Sequence, residues 1–328
     1  MSVGTEIDQV LEELRQAEKL LLTTHENPDG DALGSLLGMH RLLTGLGKDA
    51  LMYMAPEEFP LPHEYRSLSL GEVVHESPDD IAERVVVFLD CGNIDRMPVD
   101  FLRTEGTHIV NIDHHHDNTR FGTVNLVDPD ASCTAEIVWT LAAELGAQLT
   151  KPMAEALYVG LVTDTGKFMY ENTTARAHRM AAELIEAGVD THAIYRKLYE
   201  QMPYPRLELL ARALGKIERF DDGALTITSL TKLDYSDTGA IESDTEGVVD
   251  HMRAVEGTKV AAVVRELLAE DRAGLRKVSL RAADGSVDVS AIAREHGGGG
   301  HRQAAGFTTE LPLEDLAERL RAAIREQA

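Results

Sequence analysis

Three short apolar runs near the start of the chain each end in side chains able to bind a metal or move a proton. Leu20-Leu21-Leu22-Thr23-Thr24 leads into His25-Glu26-Asn27-Pro28-Asp29-Gly30-Asp31, Val85-Val86-Val87-Phe88-Leu89 into Asp90, and His108-Ile109-Val110-Asn111-Ile112 into Asp113-His114-His115-His116. Runs this short and this rich in Leu, Val and Ile, spaced by helical stretches, are what strands buried on both faces of a parallel sheet require. In an open parallel sheet the ligand crevice lies at the carboxyl ends of the strands. The pattern therefore indicates an α/β fold and also the edge of it where chemistry belongs.

The turn-forming Asn27-Pro28-Asp29-Gly30 leads into an apolar segment over 32–43, which completes a strand, loop, helix unit. Further helices are expected over 134–145, over 151–162 with Pro152 in its first turn, and over 175–187, stopped by Gly188. Residues 191–219 read as charged and helical, interrupted at Met202-Pro203-Tyr204-Pro205. Beyond them the pattern alternates at 224–228 and 277–281, with helices expected over 245–255 and 290–296. That mixture predicts a second, smaller domain built on a mixed sheet with helices. The expected division is a parallel-sheet domain over 1–190, a helical linker over 191–219 and a second domain over 220–328, in keeping with a chain of 328 residues.

Charge narrows the partners. With 32 Lys and Arg against 56 Asp and Glu, the formal net charge is −24, and such a surface repels a long polyanion whose binding needs many cationic contacts to phosphate. Any nucleic-acid substrate is expected to be short, and a long duplex is not expected to bind. No apolar run reaches the roughly 18 residues that span a bilayer, and the acidic residues 5–18 do not resemble a secretory leader. The two cysteines, Cys91 and Cys133, are read as free thiols. A cytoplasmic protein with no membrane contact is the expectation.

Asp29, Asp31, Asp90 and Asp164, the last in Thr163-Asp164-Thr165-Gly166, would place four negative charges in one cleft if the strand ends converge. Two divalent cations neutralise them, whereas an empty cleft would suffer like-charge repulsion and raised carboxylate pKa values. Carboxylates with imidazole and no thiolate suit manganese, magnesium, iron, cobalt or zinc. A single Asp after a strand is ordinarily a turn or helix-capping residue. Agreement among three strand ends is harder to assign to capping.

A second feature is Gly297-Gly298-Gly299-Gly300-His301, where successive glycines can aim backbone N–H groups at an anion. Arg281, with Arg276 and Lys277 nearby, offers a guanidinium fork for phosphate.

Taken together, Asp113-His114-His115 and Gly298-Gly299-Gly300-His301 resemble the two signatures of the DHH phosphoesterase superfamily, in its nanoRNase and pAp-phosphatase branch, which also includes cyclic di-AMP phosphodiesterases. The resemblance covers nearly the whole chain. It implies a Rossmann-like catalytic domain, a helical linker and a DHH-associated substrate-binding domain. It implies one metal held by His25, Asp29 and Asp90 and a second by Asp31, Asp90, His114 and Asp164, with Asp90 bridging and water between the ions as nucleophile. The ions would be manganese, with magnesium or cobalt as substitutes. His115 would contact the scissile phosphate, Arg281, Gly299, Gly300 and His301 would hold the rest of the substrate, and Asp113 would orient the histidines rather than bind metal. The implied substrates are short oligoribonucleotides, 3′-phosphoadenosine 5′-phosphate (pAp), and cyclic di-AMP or its linear product pApA.

Cys91 departs from the hydroxyl residue usual in that family and is read as packing at its strand end, where it would be an oxidation weak point; His116 receives no role. Two other readings share features with this one. A manganese inorganic pyrophosphatase has the metal motifs but a different C-terminal domain, and a non-catalytic nucleotide sensor would not need every metal position kept. The resemblance further implies a homodimer, for which 33–46 could supply an apolar helix face, although core packing explains such a face equally well.

Overall fold

The computed structural model describes residues 2–327 apart from 72, 98 and 105. Among the described residues, α1 (Val3–Gln16) precedes β1 (Lys19–Thr23), α2 (Gly30–Gly45), β2 (Asp49–Tyr53), β3 (Val73–Val74), β4 (Val85–Leu89), β5 (Ile109–Asp113) and β6 (Val124–Val127). The strands pair in the order β3-β2-β1-β4-β5-β6, every pairing parallel. After β1 the chain builds outward through β2 and β3 and then returns to β1's other side as β4. That reversal opens the crevice between the carboxyl ends of β1 and β4.

Side-chain alternation along each strand explains the unbroken apolar runs. Leu20, Leu22, Val87 and Leu89 join the core under the helices, while Leu21, Val86 and Phe88 pack on the opposite face with Met97 and Leu102. Both faces are covered, so both must be apolar. Three helices follow β6: α3 (Thr134–Glu144), α4 (Lys151–Asp164) and α5 (Ala175–Glu186). Asp164 is thus the last residue of a helix, not of a strand.

Helix α2 runs through the middle of this core, buried from Gly30 to Leu43 except at Arg41. Its glycines recur every fourth residue and therefore lie on one face. A Cβ added at Gly30 would stand 2.3 Å from Thr163 Oγ1, one at Gly34 2.6 Å from the Ala156 carbonyl oxygen, and one at Gly38 2.5 Å from Leu157 Cδ2. The missing side chains let α4 lie directly against α2. Of the two readings of the apolar face over 33–46, core packing is the one seen: Leu33, Leu36, Leu37, Met39, Leu42 and Leu43 are all in the core, and of the large apolar residues there Leu46 is exposed, at 39%.

The chain divides into two units, the first ending at Gln201 and the second beginning at Met202. The 191–219 stretch is accordingly not a separate piece. The short helix α6 (Thr191–Tyr195) and the π-helical turn Arg196–Glu200 fold with the first unit, α7 (Tyr204–Gly215) with the second, and Glu218–Phe220 is a strand, β7.

In the second unit, β8 (Leu225–Leu230), α8 (Lys232–Thr238), α9 (Val248–Arg253), β9 (Val260–Glu266), β10 (Arg276–Ala282), α10 (Val289–Glu295), β11 (Gly299–His301), β12 (Ala304–Thr309) and α11 (Leu313–Gln327) follow. The sheet order is β11-β12-β10-β9-β8-β7, with β8 and β9 parallel and the other pairs antiparallel. One face packs on α10 and α11 through Leu280, Ile292 and Leu320, the other on α7 and α9 through Leu209, Met252 and Val263. Among the described residues no helix is long and apolar enough to cross a membrane.

Gly34→Ala is expected to destabilise the protein by ~1–3 kcal/mol, because the methyl meets backbone that cannot move aside without separating two helices. Thermal unfolding measures it. An unchanged melting temperature would show that α2 and α4 separate at no cost.

Candidate metal centre

Beyond β1 the chain turns into a corner that buries His25, which is 2% exposed. Its Nδ1 lies 2.7 Å from the carbonyl oxygen of Glu26. Since a carbonyl can only accept, Nδ1 carries a proton, and Nε2 faces Asp90 Oδ2 at 3.7 Å. Asp29 caps α2: its Oδ1 accepts from the backbone N–H groups of Asp31 (3.0 Å) and Ala32 (3.1 Å). Asp31, one residue into the helix, is buried and reaches α3, where it accepts from the N–H groups of Thr134 (2.7 Å) and Ala135 (3.0 Å) and from Ser35 Oγ (3.1 Å).

Asp90 follows β4 with a φ of 57°, in the left-handed region that Asp tolerates better than most residues. Its carboxylate accepts from Thr134 Oγ1 at 3.0 Å, and its Oδ1 stands 3.7 Å from both His114 Nε2 and His115 Nδ1. Asp164 Oδ2 lies 3.7 Å from His114 Nε2 and 3.3 Å from the Asn172 side-chain amide.

Three sets of donor atoms lie within 4.8 Å of one another: His25, Asp29 and Asp90; Asp31, His114 and Asp164; and Asp90, His114 and His115. Asp90 and His114 each belong to two sets, which is the arrangement a pair of neighbouring cations needs. Asp113 stands outside all three. It is the last residue of β5, fully buried, and its Oδ1 lies 2.7 Å from His115 Nδ1 while Oδ2 accepts from Asn118 at 2.5 Å.

The electrostatics fit the same chemistry. Burial and then the neighbouring Asp90 and Asp164 push the Asp31 carboxyl well above its usual range. Burial also pushes Asp164 up to about 7, with Asp29 and Asp90 adding to the rise. For Asp90, burial works in the same direction but is outweighed by His25, His115 and His114, which hold it below the usual range. His114 is opposed by burial yet carried up to about 9 by Asp164, Asp90 and Asp31. Carboxylates that repel one another in this way form a site that attracts cations. The all-oxygen-and-imidazole donor set suits hard or borderline divalent ions.

Cys91 is a correction. It is fully buried, its Sγ donates to the Asn93 carbonyl at 3.1 Å, and burial pushes the thiol up to about 12. Without access or thiolate it is not an oxidation weak point. Cys133, also free and buried, is likewise held protonated by burial.

In the second unit the glycine run is not a loop, since Gly299–His301 forms β11. A Cβ at Gly298 would stand 2.2 Å from the Gly306 carbonyl oxygen and one at Gly300 2.5 Å from that of Ala304, whereas nothing lies within 4 Å of one at Gly299. Two of these glycines are therefore required by the strand pair and the third fronts open space. His301 pairs with Ala304, and Ala304 pairs with Arg281. Residues directly opposite across neighbouring strands share a face, so Arg281 and His301 stand on one face, two strands apart, ~10 Å by ordinary strand spacing. Arg281 Nε lies 3.8 Å from Asp250 Oδ1.

Sequence reasoning overlooked Thr134, Asn118 and Asn172, which hold Asp31 and Asp90, Asp113, and Asp164. Thr134 could have been suspected as the opening residue of a helix. The other two carry no local signal.

Residues 19–161 match the DHH family, N-terminal domain, and residues 225–328 match the DHHA1 domain. The chain is 36% identical over 324 residues, 97% of its own length and 93% of the relative's, to a bifunctional oligoribonuclease and PAP phosphatase of Thermus thermophilus. It is 27% identical to a cyclic-di-AMP phosphodiesterase of Listeria monocytogenes, over 95% of this chain and 48% of that longer protein. Among solved structures, an exopolyphosphatase-related protein from Bacteroides fragilis has a TM-score of 0.87 at 26% identity, covering 98% of this chain and 96% of that one.

The shifted groups predict a pH signature. Asp164 rises from an ordinary 3.8 to about 7, and His114 from 6.5 to about 9. Both folded values lie above the unfolded ones, so the stability these groups contribute is fully present below the unfolded values and lost as pH rises through the folded ones. In chelator, the melting temperature is expected to fall between pH 5.5 and 9. Saturating Mn2+, which competes with those protons, is expected to bind more tightly as pH rises and to flatten the fall. Parallel curves with and without the ion would contradict the proton competition.

Proposed function

On the premise of the DHH family, to which this chain belongs, we propose that it is a metal-dependent phosphoesterase that releases 5′-mononucleotides from very short RNAs and also hydrolyses pAp, pApA and cyclic di-AMP. The observation that carries this reading is the convergence of His25, Asp29, Asp31, Asp90, His114 and Asp164 into overlapping donor sets at the crevice of the parallel sheet. The Thermus thermophilus and Listeria monocytogenes relatives, named as an oligoribonuclease with PAP phosphatase activity and as a cyclic-di-AMP phosphodiesterase, point to the same class of substrate.

His25, Asp29 and Asp90 would hold one ion, and Asp31, Asp90, His114 and Asp164 the other, with manganese the expected metal. Two divalent cations, when bound, supply Lewis-acid charge to a phosphate and make water a competent nucleophile near neutral pH. The chain's own residues do the rest. Asp113 Oδ1 holds His115 at Nδ1, at 2.7 Å. Burial opposes a proton on His115, but the Asp113 contact more than offsets it and keeps the ring's pKa raised. His115 can then donate to a phosphate oxygen at Nε2 while Asp113 fixes its orientation.

The second unit is assigned the non-reacting end of the substrate. Arg281 and His301, on one face of its sheet, would bind a terminal phosphate or base, and Gly299 leaves backbone open to it. A surface of net charge −24 disfavours long polyanions, which fits recognition confined to such a local patch. The DHHA1 match over 225–328 weighs against the pyrophosphatase reading, and the full set of donors weighs against a sensor. We further take the enzyme to be cytoplasmic and homodimeric, through a surface other than α2.

Anion-exchange analysis of products from pAp, pApA, cyclic di-AMP, a long RNA and pyrophosphate tests the proposal. AMP appearing only with Mn2+, from the small nucleotides and scarcely from the long RNA, is the expected result; phosphate from pyrophosphate alone would replace this reading with the pyrophosphatase. Asp90→Ala is expected to reduce turnover to background even in manganese-restored buffer. His301→Ala should slow pApA hydrolysis far more than that of bis-p-nitrophenyl phosphate, and equal losses would remove His301 from substrate binding.

A further inference from the structure

Thr134 hydrogen-bonds to two of the carboxylates in the centre. Its backbone N–H donates to Asp31 Oδ2 at 2.7 Å and its hydroxyl to Asp90 Oδ1 at 3.0 Å. It opens α3 and is 0% exposed. The preceding Cys133 makes no side-chain cap, so the first N–H groups of α3, from Thr134 and Ala135, are satisfied by the carboxylate of Asp31, 103 residues earlier in the chain.

The hydroxyl is not needed for the helix, because Asp31 already caps it. It is turned instead onto Asp90, whose histidine neighbours stand farther off at 3.7 Å. Asp31 and Asp90 arise from different elements, the first turn of α2 and the end of β4, and without a shared donor nothing local would fix the spacing between them.

We propose that Thr134 is a positioning residue for the metal pair, fixing Asp90 through its hydroxyl and Asp31 through its backbone so that both carboxylates meet the ions at a set separation. This inference rests on the two-metal reading. The hydroxyl acts on Asp90 Oδ1 and leaves Asp90 Oδ2 and one lone pair of Oδ1 for the ions. It also opposes rotation of a side chain whose backbone sits in the left-handed region.

The test is Mn2+ binding to the full-length chain, read by electron paramagnetic resonance of free ion, for Thr134→Val and Thr134→Ser, together with melting in chelator and kcat and KM for pApA. Thr134→Val is expected to bind Mn2+ about 10–100-fold more weakly, in the range found when a partner of a metal ligand is removed. Its melting in chelator should fall only by what one lost hydrogen bond to a carboxylate costs, its kcat should fall, and its KM should change little. Thr134→Ser, which keeps the donor, is expected to restore affinity and kcat. Parent-like Mn2+ affinity in Thr134→Val would overturn the proposal, and so would a serine variant as weak as valine, since the methyl group would then be what matters. Should the valine variant not fold, Thr134→Ala against Thr134→Ser makes the same comparison. If the parent chain itself takes up no Mn2+, the two-metal reading fails first and this inference with it, an outcome distinct from loss in the variant alone.

Discussion

The structure of the first unit is organised around the repulsion of buried carboxylates that it brings together. Asp31, Asp90 and Asp164 come from a helix start, a strand end and a helix end, and the groups that shield them overlap, Thr134 serving Asp31 and Asp90 and His114 serving Asp90 and Asp164. Asp31 lies on the N-terminus of α3, where unpaired N–H groups and the helix dipole favour negative charge. Asp90 is surrounded by three imidazoles, and Asp164 faces His114 and Asn172. An unpaired buried charge costs several kcal/mol, so a fold that gathers three of them has to supply this shielding or its cations. The opposite pulls on Asp90, held low, and on Asp31 and Asp164, pushed high, are one interaction seen from different members.

The packing of α2 serves that interaction. Asp31 and Asp164 belong to the facing helices α2 and α4, and the glycine face of α2 brings those helices into backbone contact. A Cβ on Gly160 would lie 2.8 Å from Asp31 Oδ1 and 2.7 Å from the Ala135 side chain. Thus the close approach that looks like core packing also sets the distance between two acidic groups. At the opposite end of the sheet, buried Arg84 pairs with Asp49 and Asp80 and donates to the Leu20 carbonyl. It ties β1 and β2 at their amino ends, so the carboxyl ends that carry the site splay from a fixed base.

Much of this was legible because strand periodicity is local. The runs ending at Thr23, Leu89 and Asp113 could be read as doubly buried strands, and the acidic and imidazole residues after them then had one place to go. What stayed hidden depends on contacts distant in sequence. The Asp31–Thr134 cap joins residues 103 apart, and Asn172 reaches Asp164 only because the intervening turn folds back. The glycine face of α2 was read as part of an apolar helix surface because absence of a side chain leaves no mark in hydrophobic periodicity. The glycine run at 297–300 gives no strand signal for the opposite reason: glycine disfavours strands unless, as with Gly298 and Gly300 against β12, close backbone approach demands it.

Part of the backbone strain lies where the chain must change direction to aim a ligand. Asn27, between His25 and Asp29, has a φ of 51°; Asp90 has 57°; and Gly166, Lys167 and Phe168, just after Asp164, have 54°, 63° and 65°. A side chain leaving a strand or helix end points along a direction set by that element, and one left-handed residue redirects it at a cost of order 1 kcal/mol or more. For Asn and Asp the cost is small. For Lys167 and Phe168 it is larger, and their surroundings offset it: Phe168 stacks on His178 with centroids 5.1 Å apart, and Lys167 Nζ sits 4.7 Å over the Tyr199 ring. The corner after Asp164 is thereby held from outside by α5 and the π-helical turn, which ties the 191–200 stretch to the placement of a ligand it does not touch.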